Sequence, residues 1–94
     1  MIRSFKDADT LELFEKGRNR RFANFGGIAG RKLLMIEAAV QLADLRIPPN
    51  NRLEALKGKR KGQHSIRIND QYRVCFIWKE DGAHNVEIVD DHDE

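Results

Sequence analysis

The stretch Gln63-His-Ser-Ile-Arg-Ile-Asn-Asp-Gln-Tyr-Arg-Val-Cys-Phe-Ile-Trp78 decides the fold. Two alternating runs flank Asn69-Asp70-Gln71, a cluster of turn-forming residues, so the segment predicts a β-hairpin with strands over 63–68 and 72–78. Neighbouring side chains of a strand point to opposite faces. Ile66 and Ile68 therefore share one side, as do Val74, Phe76 and Trp78. Both sets reach one core only if even positions pair with even positions. That demands an odd-length connection, most simply the three residues 69–71. Ser65, Arg67, Arg73 and Cys75 then share the other face, with Arg67 and Arg73 as cross-strand neighbours. Like charges directly opposite are destabilising, and the pair becomes favourable once an anion sits between them. The competing expectation is two solvated arginines, one paired with Glu87 or Asp91.

Downstream, Glu80-Asp81-Gly82 reads as a turn into a last strand over 85–89. Upstream, Lys57 to Gly62 is a basic loop, and Leu53 and Leu56 are expected to anchor a short helical turn. Pro48-Pro49-Asn50-Asn51 stops a long helix running from about Ile28 to Leu45. Ala29, Leu33, Ile36, Val40 and Ala43 step by four and three, giving that helix one apolar stripe widened by Met35, Ala39 and Leu42. Residues 18–27 form a basic connector. Before it, Asp7 or Asp9 caps a helix running to Lys16, with Leu11 and Phe14 inward and Gly17 ending it. Ile2 to Phe5 is expected to be a short strand. The layout is α+β: two N-terminal helices packed on one face of a small, mostly antiparallel sheet, in the order β-α-α-β-β-β. The other sheet face is expected to be basic and partly open.

At 94 residues the chain is expected to be a single domain, 1–94, and its 40% hydrophobic content fits a globular protein. No apolar run approaches the roughly 20 residues of a membrane helix. The opening Met1-Ile-Arg-Ser-Phe-Lys has no apolar secretion region after its charges. A lone Cys75 fits a reducing compartment, so a cytoplasmic location and no membrane partner are expected. The net charge of +2 conceals an uneven distribution. Residues 1–79 hold all 17 Lys and Arg with 8 of the 15 acids, a net of +9, while residues 80–94 carry −7. A basic body attracts nucleic acid or an acidic protein surface.

Several weaker signals lead nowhere. His64 reads as a strand-end surface residue and His84 as a turn residue. No Cys/His spacing suggests zinc, and no metal or cofactor is expected. Gly26-Gly-Ile-Ala-Gly-Arg-Lys32 lacks the spacing of a phosphate loop and the Ser/Thr after its lysine. Phe76 and Trp78 belong to the core by alternation.

The residues also match a known pattern. The chain resembles the HigB toxins of the RelE superfamily of bacterial toxin–antitoxin modules. The resemblance rests on Met1-Ile-Arg-Ser-Phe5, Leu13-Phe-Glu-Lys-Gly17 and Arg52-Leu-Glu-Ala-Leu-Lys-Gly58. It continues through Gly62-Gln-His-Ser-Ile-Arg-Ile-Asn-Asp-Gln-Tyr-Arg73 and Asn85-Val-Glu-Ile-Val-Asp-Asp-His92. It implies a microbial-ribonuclease-like α+β fold and cleavage of messenger RNA at the ribosomal decoding site. It also implies neutralisation by a helix-turn-helix antitoxin, HigA, through which operator DNA is contacted indirectly. By the same resemblance Arg73 holds the scissile phosphate and His92 is a catalytic acid or base. Asp90 orients the site, and Lys57 lies close to the substrate. Glu54 stands where some HigB proteins carry a histidine, and is the candidate base. Arg67 and the loop residues Lys59, Arg60 and Lys61 are expected to contact RNA phosphates. Asp90-Asp91-His92 departs from the commoner Asp-Tyr-His, and a carboxylate at Asp91 would repel RNA. That motivates a rival expectation: an attenuated module that keeps antitoxin binding and operon regulation. Direct DNA binding by the chain alone is a third, weaker one.

Overall fold

The computed structural model describes residues 1–91. Helix α1 (Ala8–Lys16) begins where the Asp7 carboxylate accepts hydrogen bonds from the Thr10 amide (2.7 Å) and hydroxyl (3.0 Å). It ends at Gly17, whose φ of 76° lets its amide return to the Leu13 carbonyl. Thr10 and Leu13 are the buried residues, whereas Leu11 faces out, contrary to expectation. The Thr10 hydroxyl accepts a 3.2 Å bond from the Ile88 amide, so a polar residue takes the position facing the sheet. Phe14 lies beside it, packed against Phe5 with ring centroids 5.4 Å apart.

Helix α2 spans Gly26–Ala38 and buries Ala29, Leu33 and Ile36. Burying an aliphatic side chain such as Leu33 contributes about 1.5–3 kcal/mol. The helix stops seven residues before its expected end. The Asp44 carboxylate accepts hydrogen bonds from the Val40 and Gln41 amides at 2.9 and 3.1 Å, drawing those donors out of the helical ladder. The chain then turns through a 3-10 helix at Leu42–Arg46. Val40 (88% exposed) and Ala43 point to solvent rather than inward, and Leu45 is buried in their stead.

The sheet has four antiparallel strands in the order β1-β2-β3-β4: Glu54–Ala55, His64–Arg67, Tyr72–Lys79 and Gly82–Asp90. The expected helical turn at Leu53–Leu56 is instead the short edge strand β1. A 3-10 turn at Gly58–Arg60 interrupts the basic loop. Only Glu80 and Asp81 lie between β3 and β4, since Lys79 already pairs with Gly82, so His84 is a strand residue. Ile2–Phe5 is not a continuous strand. It touches β4 through two parallel bridges, Ile2 with Ala83 and Phe5 with Val86.

The β2–β3 register is the one alternation demands. Ile66 pairs with Val74, Ser65 with Cys75 and Arg67 with Arg73. The Asn69 side chain accepts from the amides of Gln71 and Tyr72, both at 2.8 Å, closing the three-residue connection. Ile66, Val74, Phe76 and Ile88 join Leu13, Leu33 and Ile36 in one core between helices and sheet. Trp78 is half-buried, edge-on to Phe76. The opposite face is less open than expected, because Ser65 and Cys75 on it are buried. Two helices on a four-stranded antiparallel sheet make the α+β architecture, and no described helix is long and apolar enough to cross a membrane.

Candidate active site

On the sheet face away from the helices, the tip of the β2–β3 hairpin, the start of β1 and the end of β4 enclose a cavity of about 140 Å³. It is lined by Arg52, Glu54, Ser65, Arg67, Asn69, Asp70, Arg73 and Asp91. Pockets for drug-sized ligands run to about 300–1,000 Å³, so this space suits a small polar group.

Each lining side chain has a structural reason for its position. Arg67 and Arg73 are register partners, which puts both guanidinium groups on one face. Glu54 pairs with Ser65 one strand out, and so projects to the same face. Arg52 adopts a left-handed backbone (φ 47°) after the 3-10 turn Pro49–Asn51. That turn hangs on Asn51, which is wholly buried. Its amide donates to the carbonyls of Leu45 (3.1 Å) and Ile47 (3.4 Å), and its oxygen accepts from Lys32 Nζ (2.6 Å). Burial, then the nearby Arg31 and Arg67 charges, hold the Lys32 ammonium below its ordinary pKa.

The like charges on the hairpin are separately compensated. Arg67 is ion-paired with Asp70 across the connection. Arg73, with only 18% of its side chain exposed, has the Asp91 carboxylate 2.7 Å from its Nε. This is an ionic contact rather than an aligned hydrogen bond. Asp91 is anchored through its amide, which donates to the Gln71 carbonyl at 2.7 Å. Of the two partners anticipated for this pair, Asp91 is therefore the one present. Glu87 is engaged instead by Arg60 (3.2 Å) and Lys6 (3.4 Å).

The remaining candidates lie elsewhere. Lys57, Lys59 and Lys61 are exposed on the loop outside the cavity. Arg60 is half-buried, and besides Glu87 it donates to Gln63 at 3.1 Å. Asp90 pairs in register with Tyr72 and so belongs to the helix-covered face. There its carboxylate accepts from Gln71 Nε2 at 2.8 Å, and Tyr72 stacks on Phe25 at 4.3 Å. His92 lies outside the described residues. Sequence reasoning missed Arg52, Asn69 and Asp70 as cavity walls. The turn-forming Asn69-Asp70 pair was a usable signal for the last two, since a hairpin tip necessarily flanks the cross-strand pair beneath it. Among the described residues no group of His, Cys, Asp or Glu is arranged to hold a metal ion.

Known proteins bear on this arrangement. A family model for RelE-like toxins of the type II toxin–antitoxin system HigB matches residues 3–92. The chain belongs to this family. Toxin HigB-1 of Vibrio cholerae serotype O1 is 40% identical over 87 residues, covering 90% of this chain and 92% of the relative. An uncharacterized protein of Haemophilus influenzae is 39% identical over 64 residues, covering 68% of this chain and 63% of that protein. Among solved structures, YafQ from E. coli strain BL21(DE3) superposes with a TM-score of 0.63 at 12% identity. The superposition covers 99% of this chain and 94% of that one, a likeness of fold. As a HigB-like, RelE-type toxin of a type II system, the chain has an antitoxin as its implied partner. The family is one of messenger-RNA-cleaving toxins, so this HigB-like toxin is an endoribonuclease in general terms.

Proposed function

We propose that this HigB-like toxin cleaves messenger RNA on the ribosome, blocks translation in the cytoplasm, and is neutralised by a helix-turn-helix antitoxin of the HigA type. Operator DNA is then contacted indirectly, through that antitoxin. The observation that supports this reading best is the Arg67–Arg73 pair beside a small polar cavity. Two guanidinium groups held on one rigid face stabilise charge developing on a phosphate without reorganising.

In the proposed reaction the RNA 2′-hydroxyl attacks the adjacent phosphorus. The 2′-oxygen–phosphorus bond forms, the bond to the 5′-oxygen breaks, and the products are a 2′,3′-cyclic phosphate and a 5′-hydroxyl end. The chemistry requires a base, a phosphate stabiliser and an acid, and no metal. Arg73 takes the phosphate bidentately. Glu54, on the same face, is the candidate base. His92 protonates the leaving oxygen, oriented by Asp90. Lys57, Lys59 and Lys61 carry loop contacts to RNA phosphates, with Arg60 steadying that loop through Glu87 and Arg67 supporting the phosphate site. Naked RNA is a poor substrate, because the ribosome supplies much of the geometry.

The ion pair between Asp91 and Arg73 favours a second reading. A carboxylate already on the phosphate-binding guanidinium competes with substrate, so the chain is an attenuated toxin that retains antitoxin binding and operon regulation. Induction without antitoxin separates the two. Growth arrest that disappears in Arg73→Ala and His92→Ala supports the nuclease, with a loss of at least about 10²-fold in cleavage. No arrest by the wild type, regained on Asp91→Tyr, supports attenuation. No arrest in either, with intact binding to a helix-turn-helix partner, leaves only the binding module.

A further inference from the structure

Away from the cavity, the connector between the helices builds a second cationic surface. The end of α1 and the start of α2 enclose a groove of about 580 Å³, whose basic walls are Lys16, Arg18 and Arg20. Arg18 and Arg20 are exposed and make no ion pair with any described residue. Their outward direction is enforced by the residue between them. Asn19 is buried, its amide donating to Asp9 (3.1 Å) and Glu12 (2.9 Å) while its oxygen accepts from the Arg21 amide (2.9 Å). With Asn19 turned in, the flanking arginines are turned out.

The same contacts occupy the acids that would otherwise neutralise the groove. Glu12 holds Asn19 and Lys16, and Asp9 holds Asn19 and Arg21. A further cation approaches from α2: a Cβ at Gly27 would lie 3.8 Å from an Arg31 guanidinium nitrogen. Arg18 and Arg20 sit two extended residues apart, on the order of 7 Å, the scale of one step between phosphates along a strand. The walls include no aromatic or branched aliphatic side chain. Protein interfaces set aromatic anchors beside their arginines, whereas a nucleic-acid backbone is held by the charges alone.

We propose that this groove is a second RNA-binding site, gripping the sugar–phosphate backbone of an RNA segment distinct from the one cut at Arg73. The groove belongs to the helix layer and the Arg73 cavity to the opposite sheet face, so the same few nucleotides do not fill both. The proposal rests on the chain acting on RNA and is tested independently of cleavage. The probe is a fluorescent 2′-O-methyl RNA of about 20 nucleotides, which lacks the attacking hydroxyl, titrated with the full-length toxin at several salt concentrations. Arg18→Gln/Arg20→Gln is expected to weaken binding at low salt and to reduce the log–log salt slope by about 1.4, roughly 0.7 per lost single-strand phosphate contact. Arg46→Gln/Lys79→Gln removes equal charge elsewhere on the surface and is expected to leave the slope near the wild-type value. Arg73→Ala is expected to lose cleavage yet keep the slope dependence on Arg18 and Arg20. A folded Arg18→Gln/Arg20→Gln variant with an unchanged slope would overturn the proposal, as would an equal effect from the control pair. Unchanged RNA binding with lost antitoxin binding would reassign the groove to the protein partner. Arrest persisting in Arg73→Ala would sink the cleavage assignment and leave the groove standing.

Discussion

At the residue scale, Asn51 shows how a buried polar side chain fixes a loop. It satisfies two carbonyls and the Lys32 ammonium at once. Asn51→Leu keeps the branched outline of the side chain and removes every polar contact that side chain makes. It is expected to lower the unfolding free energy by about 2–3 kcal/mol, since carbonyls and a partly buried ammonium lose their partner. Urea denaturation measures this, and a loss below about 0.5 kcal/mol would mean that water replaces the amide. The sequence marked Asn51 only as part of a helix stop. Nothing local in Pro48-Pro49-Asn50-Asn51 says that one asparagine turns inward, because the carbonyls it serves belong to Leu45 and Ile47 in a turn no periodicity forecasts. Arg67 and Arg73 were legible for the opposite reason. Their placement follows from strand alternation and the parity of one connection, both properties of the local sequence.

At the element scale, α2 shows where periodicity misleads. The apolar stripe through Ala29, Leu33 and Ile36 is real, and Val40 and Ala43 continue its spacing without continuing the helix. A carboxylate four residues beyond Val40 competes for its amide, a contest that hydrophobic spacing does not register. The Gln41 amide, and after it the Val40 amide, also stabilise the Asp44 anion, holding its carboxyl below the usual 3.8. A carboxyl whose folded pKa is depressed lends stability above its unfolded pKa and loses it as pH falls through the folded one. Asp44→Ala is therefore expected to be less stable than wild type at pH 7, with the gap closing below about pH 4. Thermal melts across that range would show it. A gap independent of pH would mean that the carboxylate charge plays no part.

At the scale of the whole molecule, the two helices, the layer they form and the last three strands could be read in advance, but the edge strand β1 and the mode of N-terminal attachment could not. Two isolated parallel bridges join residues 2–5 to β4, and they depend on chain segments about 80 residues apart. The attachment tolerates little at Gly82. A Cβ there would stand 2.0 Å from the Met1 carbonyl oxygen, on a backbone with φ of 127°. Gly82→Ala is expected to cost roughly 3 kcal/mol from overpacking and backbone strain together. It should also expose the Arg3 and Lys6 amides, now bonded to the Ala83 and Val86 carbonyls, to hydrogen exchange. Unaltered protection at those two amides would show that the first residues are held by other means.

The pairing of β3 with β4 shifts by one between Cys75–Glu87 and Ile77–His84, leaving Phe76 opposite both Asn85 and Val86. Asn85 absorbs the surplus with a φ of 52°. Side chains before and after that point therefore keep different parity along the same strand. Relatives aligned through this region should retain the additional position. Excising it would swap Ala83 and His84 between interior and solvent, an imidazole for a methyl, with no change in composition elsewhere.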